Sequence, residues 1–323
     1  MKTSNNNIKW FAAALVLVLA SCSKNDAEIS LPAKKAAASS ELISFNVVAG
    51  TKAVEEKTTD THAAVAYYLP EGYSFPNDVD YATLYMNEQA ISYNMVNDNH
   101  TTSSNYFWPE DGGSLTIFSY SPYEQLKDIV KINPNVINGV TIPEVYDINE
   151  HQDIHFMIAD PMINKTGNDA DNGITATYRS AICEIGSINI ALQENHSTEV
   201  YKLKSVSLSG HYTQGTYSNG WTLCGEACES TVLFDGEEKV IDADGIEAMN
   251  IANDSYLMLP QVVKTGKMFL NVVYTITTGQ TVQTIKMNVD LRDYLKEFKA
   301  GNKYSFDLTI EQTGVISMSP GMA

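Results

Sequence analysis

From Leu42 onward the chain is written in short alternating runs. Ile43, Phe45 and Val47 take one set of positions, and Ser44, Asn46 and Val48 the other. That period of two belongs to a strand with one buried face. Comparable runs recur at Val65 to Leu69, Leu84 to Met86, Leu115 to Tyr120, Ile154 to Ile158, Ile185 to Leu192, Val206 to Leu208, Tyr256 to Leu259, Met268 to Ile276 and Val282 to Val289. Turn-forming clusters separate them, among them Asp111-Gly112-Gly113, Asn138-Gly139, Asn172-Gly173, Ser218-Asn219-Gly220 and Thr278-Gly279. The cleanest amphipathic strand comes late, with Tyr304, Phe306, Leu308 and Ile310 alternating with Ser305, Asp307 and Thr309; a last strand-like piece runs from Val315 to Met318. Only Ser121 to Ile132 and Asp290 to Phe298 suggest short helices, so the pattern predicts an all-β chain. The abundance of Tyr and Thr fits pleated, half-buried surfaces.

The first 21 residues obey a different logic. Lys2 and Lys9 give a positive start, Trp10 to Ala20 is apolar, and Leu19-Ala20-Ser21 precedes Cys22. The run is much shorter than the roughly 20 residues of a membrane-spanning helix. Basic start, apolar middle and small residues before a cysteine are the layout of a lipoprotein export signal, cleaved so that Cys22 carries lipid. Residues 1–21 are therefore expected to be the signal peptide and residues 22–40, rich in Ala, Ser and charge, a flexible lipid-proximal tether. A crowding of Asn, Asp, Gly and Lys between Asn164 and Gly173 suggests a cut into domains at 41–168 and 169–323.

Net charge narrows the partners. The chain carries a formal −18, and loss of the first 21 residues removes two lysines and no acid. Such a surface argues against nucleic acid and anionic lipid headgroups, which require clustered Lys and Arg.

Chemistry-bearing residues form no catalytic pattern: phosphate loops, dinucleotide glycines, nucleophile elbows and metalloprotease helices are all missing from the sequence. Beyond Cys22 there remain Cys183, Cys224 and Cys228. Cys224 and Cys228 are the local disulfide candidate, with free thiols as the alternative. His151 and His155 would share a face on a helix or a strand, but two ligands fall short of a metal centre. Asp242, Asp244 and Glu247 around Gly245 lack calcium-loop spacing and read as a solvated acidic turn. No metal and no cofactor are expected. Trp108, Trp221, Tyr67, Tyr68, Tyr81 and Tyr85 could stack on a sugar or fill sheet cores.

Tyr106-Phe107-Trp108-Pro109-Glu110-Asp111-Gly112-Gly113, followed by Leu115 to Pro122, resembles a stretch shared by fimbrillin-family proteins, the type V pilus subunits and related adhesins of Bacteroidales. Three further similarities follow in order: Ile43-Ser44-Phe45 to Thr51-Lys52-Ala53, Leu257-Met258-Leu259-Pro260-Gln261, and Phe298 to Phe306 with Phe298 in place of the family's usual Trp. Ser23-Lys24-Asn25-Asp26 resembles the surface-export signal of lipoproteins from these bacteria, with Asn25 displacing one acid.

The resemblance implies two tandem transthyretin-like β sandwich domains and a structural or adhesive fimbrial subunit, not an enzyme. It implies an outer membrane lipoprotein at the cell surface, partnered with other fimbrial subunits and with a host or bacterial surface ligand. Assembly would proceed by donor-strand exchange. Ile43, Phe45 and Val47 would form the displaced strand, cleavage between Lys52 and Ala53 would free its groove, and Ile316 and Met318 would mark the donor. Known members are cut after Arg, whereas Arg179 and Arg292 are the arginines here and neither lies near the N-terminus. The alternatives are ordinary strands in a monomeric, glycan-binding surface lipoprotein, or a glycan hydrolase with unrecognised carboxylates.

Overall fold

A computed structural model describes residues 38–49, 61–94, 99–194, 198–249, 255–311 and 316–322. Strands dominate, as the alternation predicts. In the first half, His62–Leu69, Thr83–Asn94, Asn99–Thr102, Ser44–Ala49, Ile174–Ser180, Met157–Ala159 and Ser114–Ser121 pair in that sequence. Ser114–Ser121 also pairs with His62–Leu69 on one side and with Met157–Ala159 on the other. The hydrogen-bonded circuit therefore closes on itself into a ring, with Met162–Lys165 continuing along Ser114–Ser121. Its interior is filled by Ile43, Phe45, Ala66, Met86, Ile91, Trp108, Ile117 and Tyr178.

The second half is a sandwich of two sheets. One contains Ile246–Glu247, Cys183–Leu192, Lys303–Ile310 and Ile316–Met322, with Tyr256–Met258 also paired to Cys183–Leu192. The other contains Thr231–Phe234, Glu199–Ser209, Phe269–Thr278 and Thr281–Asp290. Inward residues of both, such as Ile188, Leu203, Val272, Tyr274 and Phe306, make one core. This is the alternation of aligned sandwich packing.

The halves are not independent beads. Lys131–Ile132 and Val140–Asp147 from the first pair with Gln214–Ser218 and Trp221–Cys224 from the second in one four-stranded sheet. A third core lies under it, built from Tyr146, Ile148, Phe156, Ile182, Leu257 and Leu259 with Trp221 packed against them. Ala36–Ala323 accordingly clusters as one compact unit. Ile174–Ser180, which lies beyond the expected cut at residue 168, pairs inside the first ring, and the chain enters the second core at Cys183.

Three local expectations change. Ser121 to Ile132 holds only the helical turn Tyr123–Leu126, because Lys131–Ile132 is drawn into pairing with Val140–Asp147. Asp290 to Phe298 gives the 3-10 turn Leu291–Asp293, started by the Asp290 carboxylate accepting from the Arg292 N–H at 3.0 Å, before Glu297–Phe298 pairs with Gln261–Val262. Ala38 to Ser40, expected in the tether, begin the strand Ala38–Leu42, paired with Phe107–Pro109.

Candidate strand-exchange site

Ser44–Ala49 occupies an inner seat of the first ring. It runs parallel to Ile174–Ser180, with Phe45 opposite Ile174 and Ala49 opposite Tyr178, and antiparallel to Asn99–Thr102, with Phe45 opposite His100. Ile43 is 1% and Phe45 0% exposed, Val47 packs partly buried against the same core, and Leu42 and Val48 face outward. Side-chain alternation thus converts a six-residue strand into a plug with one apolar face. Burying an Ile or Phe side chain contributes about 1.5–3 kcal/mol each. Each strand hydrogen bond adds roughly 0.5–1.5 kcal/mol net. Before the strand, the Ile43 N–H donates to the Tyr106 carbonyl at 2.9 Å; beside it, Gly173 (φ 68°) turns the chain where a Cβ would come within 3.2 Å of Ser44 Oγ.

Polar groups line the wall next to this seat. His62 stacks on Tyr178 at 4.5 Å between ring centres and meets His100 edge-on at 6.1 Å. Ser119 donates to the Ala63 carbonyl and is hydrogen-bonded to the Tyr178 hydroxyl. Burial holds the pKa of His100 below its ordinary value.

At the other end of the chain, Ile316–Met322 lies antiparallel to Lys303–Ile310 as the edge strand of its sheet, with Ile310 opposite Ile316 and Tyr304 opposite Met322. Ile316 and Met318 are 5% and 7% exposed and belong to the second core. Pro320, opposite Phe306, has no N–H and suits the outer side of an edge. The strand extends past the expected Met318, and its two inward residues repeat the spacing of Ile43 and Phe45.

Cys22, Lys52, Ala53 and Val315 lie outside the described residues. Trp108 is fully buried in the first core, so it offers no surface for a sugar. Trp221 is half-buried, and its Nε1–H donates to the Ala181 carbonyl at 2.7 Å. His151 closes the 3-10 turn Ile148–His151 and stacks on Tyr146, while His155 precedes the strand Met157–Ala159, so the two share no strand face. The Asp242 carboxylate accepts from the N–H groups of Asp244 and Gly245, as befits an acidic turn. Cys183, Cys224 and Cys228 are unbridged; burial pushes the Cys183 thiol pKa far up, which makes it inert. Among the described residues no group of acids, histidines and cysteines is arranged to hold a metal ion, and no helix is long and apolar enough to cross a membrane.

The sequence motifs have structural causes. Asp111 accepts from the Tyr68 hydroxyl at 2.7 Å and from the Gly113 N–H at 3.2 Å, which fixes the turn into Ser114–Ser121 and, after burial, helps push the Tyr68 pKa up to about 12. Gln261 locks Tyr212 by accepting from its N–H at 2.8 Å and donating to its carbonyl at 3.1 Å. Phe298 meets Tyr304 edge-on at 4.8 Å, and the Tyr304 hydroxyl accepts from the Lys299 N–H at 2.7 Å across the Gly301 turn. The junction strands Gln214–Ser218 and Val140–Asp147 were not foreseen; their one available signal was the turn pair Asn138-Gly139 and Ser218-Asn219-Gly220.

Two coupled β sandwiches, one completed by a strand from the N-terminus and the other edged by a strand from the C-terminus, define a tandem sandwich protein whose terminal strands both sit in noncovalent seats. The chain belongs to the fimbrillin-like family, whose profile matches residues 51–322. Among solved structures it is similar to a fimbrial protein from Bacteroides vulgatus, at 16% identity over 87% of this chain and 99% of that one, with a TM-score of 0.64. It is also similar to a candidate cell adhesion protein from Bacteroides uniformis, at 17% identity over 87% and 97% of the two chains, with a TM-score of 0.49. No curated protein sequence matches the chain.

Proposed function

We propose that this protein is a structural or adhesive subunit of a cell-surface fimbria, exported as an outer membrane lipoprotein through Cys22 and assembled with other fimbrial subunits by protease-triggered strand exchange. The observation that carries the reading is the inner seat of Ser44–Ala49, with Ile43 and Phe45 buried and the chain continuing through Lys52 and Ala53 before it re-enters the ring at His62.

While that connection is intact, the strand rebinds its groove at high effective concentration. Cutting between Lys52 and Ala53 removes the tether and leaves only the noncovalent terms estimated above. The emptied groove would then offer backbone donors and acceptors on both sides plus pockets for alternate side chains, which is the chemistry of β-strand addition. The segment Ile316–Met322 of another subunit supplies Ile316 and Met318 at matching spacing, and it starts from an edge, where among the described residues one neighbouring strand holds it.

The test is limited trypsin treatment of the surface-shed protein, followed by intact mass and non-reducing gels, with Lys52→Ala and a chain ending at Thr313 alongside. Trimming near Lys52 should yield heat-resistant ladders from the wild type, and both variants should lose them. Monomers only, under conditions that polymerise a known pilin, would sink strand exchange. Intact mass also reads the lipid, which Cys22→Ser should remove.

A further inference from the structure

A cleft of about 320 Å³ opens where the two halves meet, within the size range of small-ligand sites. Its wall brings together Tyr217, Trp221, Asn138, Asn219, Asp160 and Arg179. The two rings are pre-positioned: Trp221 is pinned by its bond to the Ala181 carbonyl, and Tyr217 meets it edge-on at 5.3 Å. The hairpin turn at Asn219 (φ 58°) rests against the Asn138 turn, whose backbone N–H donates to Asn219 Oδ1 at 3.2 Å. Asn138 Nδ2 donates to the Tyr217 hydroxyl at 3.0 Å.

These bonds leave a defined set of groups for a guest. The Tyr217 hydroxyl accepts from Asn138, so its own proton is available to donate; the Asn219 amide N–H donors have no partner among the described residues. Arg179 grips Asp160 through Nε and Nη2, at 3.0 and 2.8 Å, which leaves Nη1 and further carboxylate lone pairs open. Both members of that pair are more than half exposed, so it adds little to folding. It does present a planar, electrically balanced array of donors and acceptors beside two aromatic rings.

We propose that this cleft binds a neutral saccharide. A pyranose has one face of C–H groups that suits an aromatic ring, and adjacent hydroxyls that each donate and accept in a plane. The balanced charge of Asp160 and Arg179 favours an uncharged ligand over an acidic or basic one. The site would serve adhesion independently of strand exchange, since Tyr217, Trp221, Asp160 and Arg179 lie outside both terminal strands.

The experiment uses the full chain labelled with ¹⁵N at its tryptophan indoles and titrated with lactose, maltose, cellobiose and N,N′-diacetylchitobiose. At least one disaccharide should shift the Trp221 resonance saturably and leave that of buried Trp108 in place. Asn219→Gly keeps the left-handed turn and removes the amide; Arg179→Gln and Asp160→Asn break the polar array. Each should weaken binding at least tenfold, with an unmoved Trp108 resonance certifying the fold. The proposal is overturned if no disaccharide moves Trp221, or if all three variants bind as the wild type does. A Trp221 shift that follows protein concentration without sugar would also overturn it, by making a second copy the occupant.

Discussion

His211 shows what a single buried side chain does to the whole stability curve. It is fully buried, and burial pulls its pKa from 6.5 down to about 4. Its Nε2 lies 2.9 Å from the Tyr256 hydroxyl, which in turn donates to Asn149 Oδ1 at 2.8 Å, so the proton resides on Nε2 of a neutral ring. The unfolded chain takes up a proton near pH 6.5 and the folded chain only near pH 4, so stability falls as pH drops through that window and levels off below it. The interval is worth about 3 kcal/mol. Urea midpoints between pH 7 and pH 4 should therefore decline in the wild type and decline distinctly less in His211→Gln; equal slopes would assign the acid sensitivity elsewhere. Gly139 is the steric counterpart. It sits at φ 72°, and a Cβ there would lie 2.0 Å from the Phe118 ring. Gly139→Ala should cost about 1–2 kcal/mol for the left-handed backbone. Overpacking adds about 1–3 kcal/mol, and denaturant unfolding reads the total. The Asn138-Gly139 turn was legible because its chemistry is local. The burial of His211 was not, because its partner Tyr256 is 45 residues away in the sequence.

Among the elements, those with a period of two were legible, Ser44–Ala49 and Lys303–Ile310 lying where alternation puts them, and so was the apolar run of Ser114–Ser121, which is buried on both faces. The predicted helices shrank because their residues are claimed by strand pairing, Lys131–Ile132 with the nearby Val140–Asp147 and Glu297–Phe298 with the more distant Gln261–Val262, which helix propensity does not register. Gln214–Ser218 carries no such signal: its polar residues pair across the junction with Val140–Asp147, and no short apolar run announces that. For the N-terminal strand, Phe45→Ala should destabilise the uncut protein by about 3–5 kcal/mol in urea. In the trimmed protein, a synthetic peptide of residues 38–49 should suppress ladder formation, and the same peptide with Phe45→Ala should do so poorly. Equal suppression by both peptides would show that the buried ring does not govern occupancy of the groove.

For the molecule as a whole, the all-β class was readable from strand count and turn spacing and the tandem β sandwiches from the family resemblance, but their coupling was not. The four-stranded junction sheet and the core around Tyr146, Phe156 and Trp221 tie the halves into one folding unit. Calorimetry should accordingly give a single transition whose measured enthalpy equals the van't Hoff value. Two separated transitions would mean that the junction is too weak to couple them, and Trp221→Ala is the change expected to bring that about.

The ring closure of the first sheet has a topological corollary. An open sheet grows by accretion and can recruit any passing strand at its rim, the usual route to unregulated aggregation. A circuit that runs from Ser114–Ser121 through Ser44–Ala49 and back again has no rim along that path. A newcomer to it must be a replacement, one strand admitted for one expelled. Under the proposed mechanism each joint is therefore counted by a single departure, and the uncut subunit travels to the surface with its vacancy already filled by its own leader.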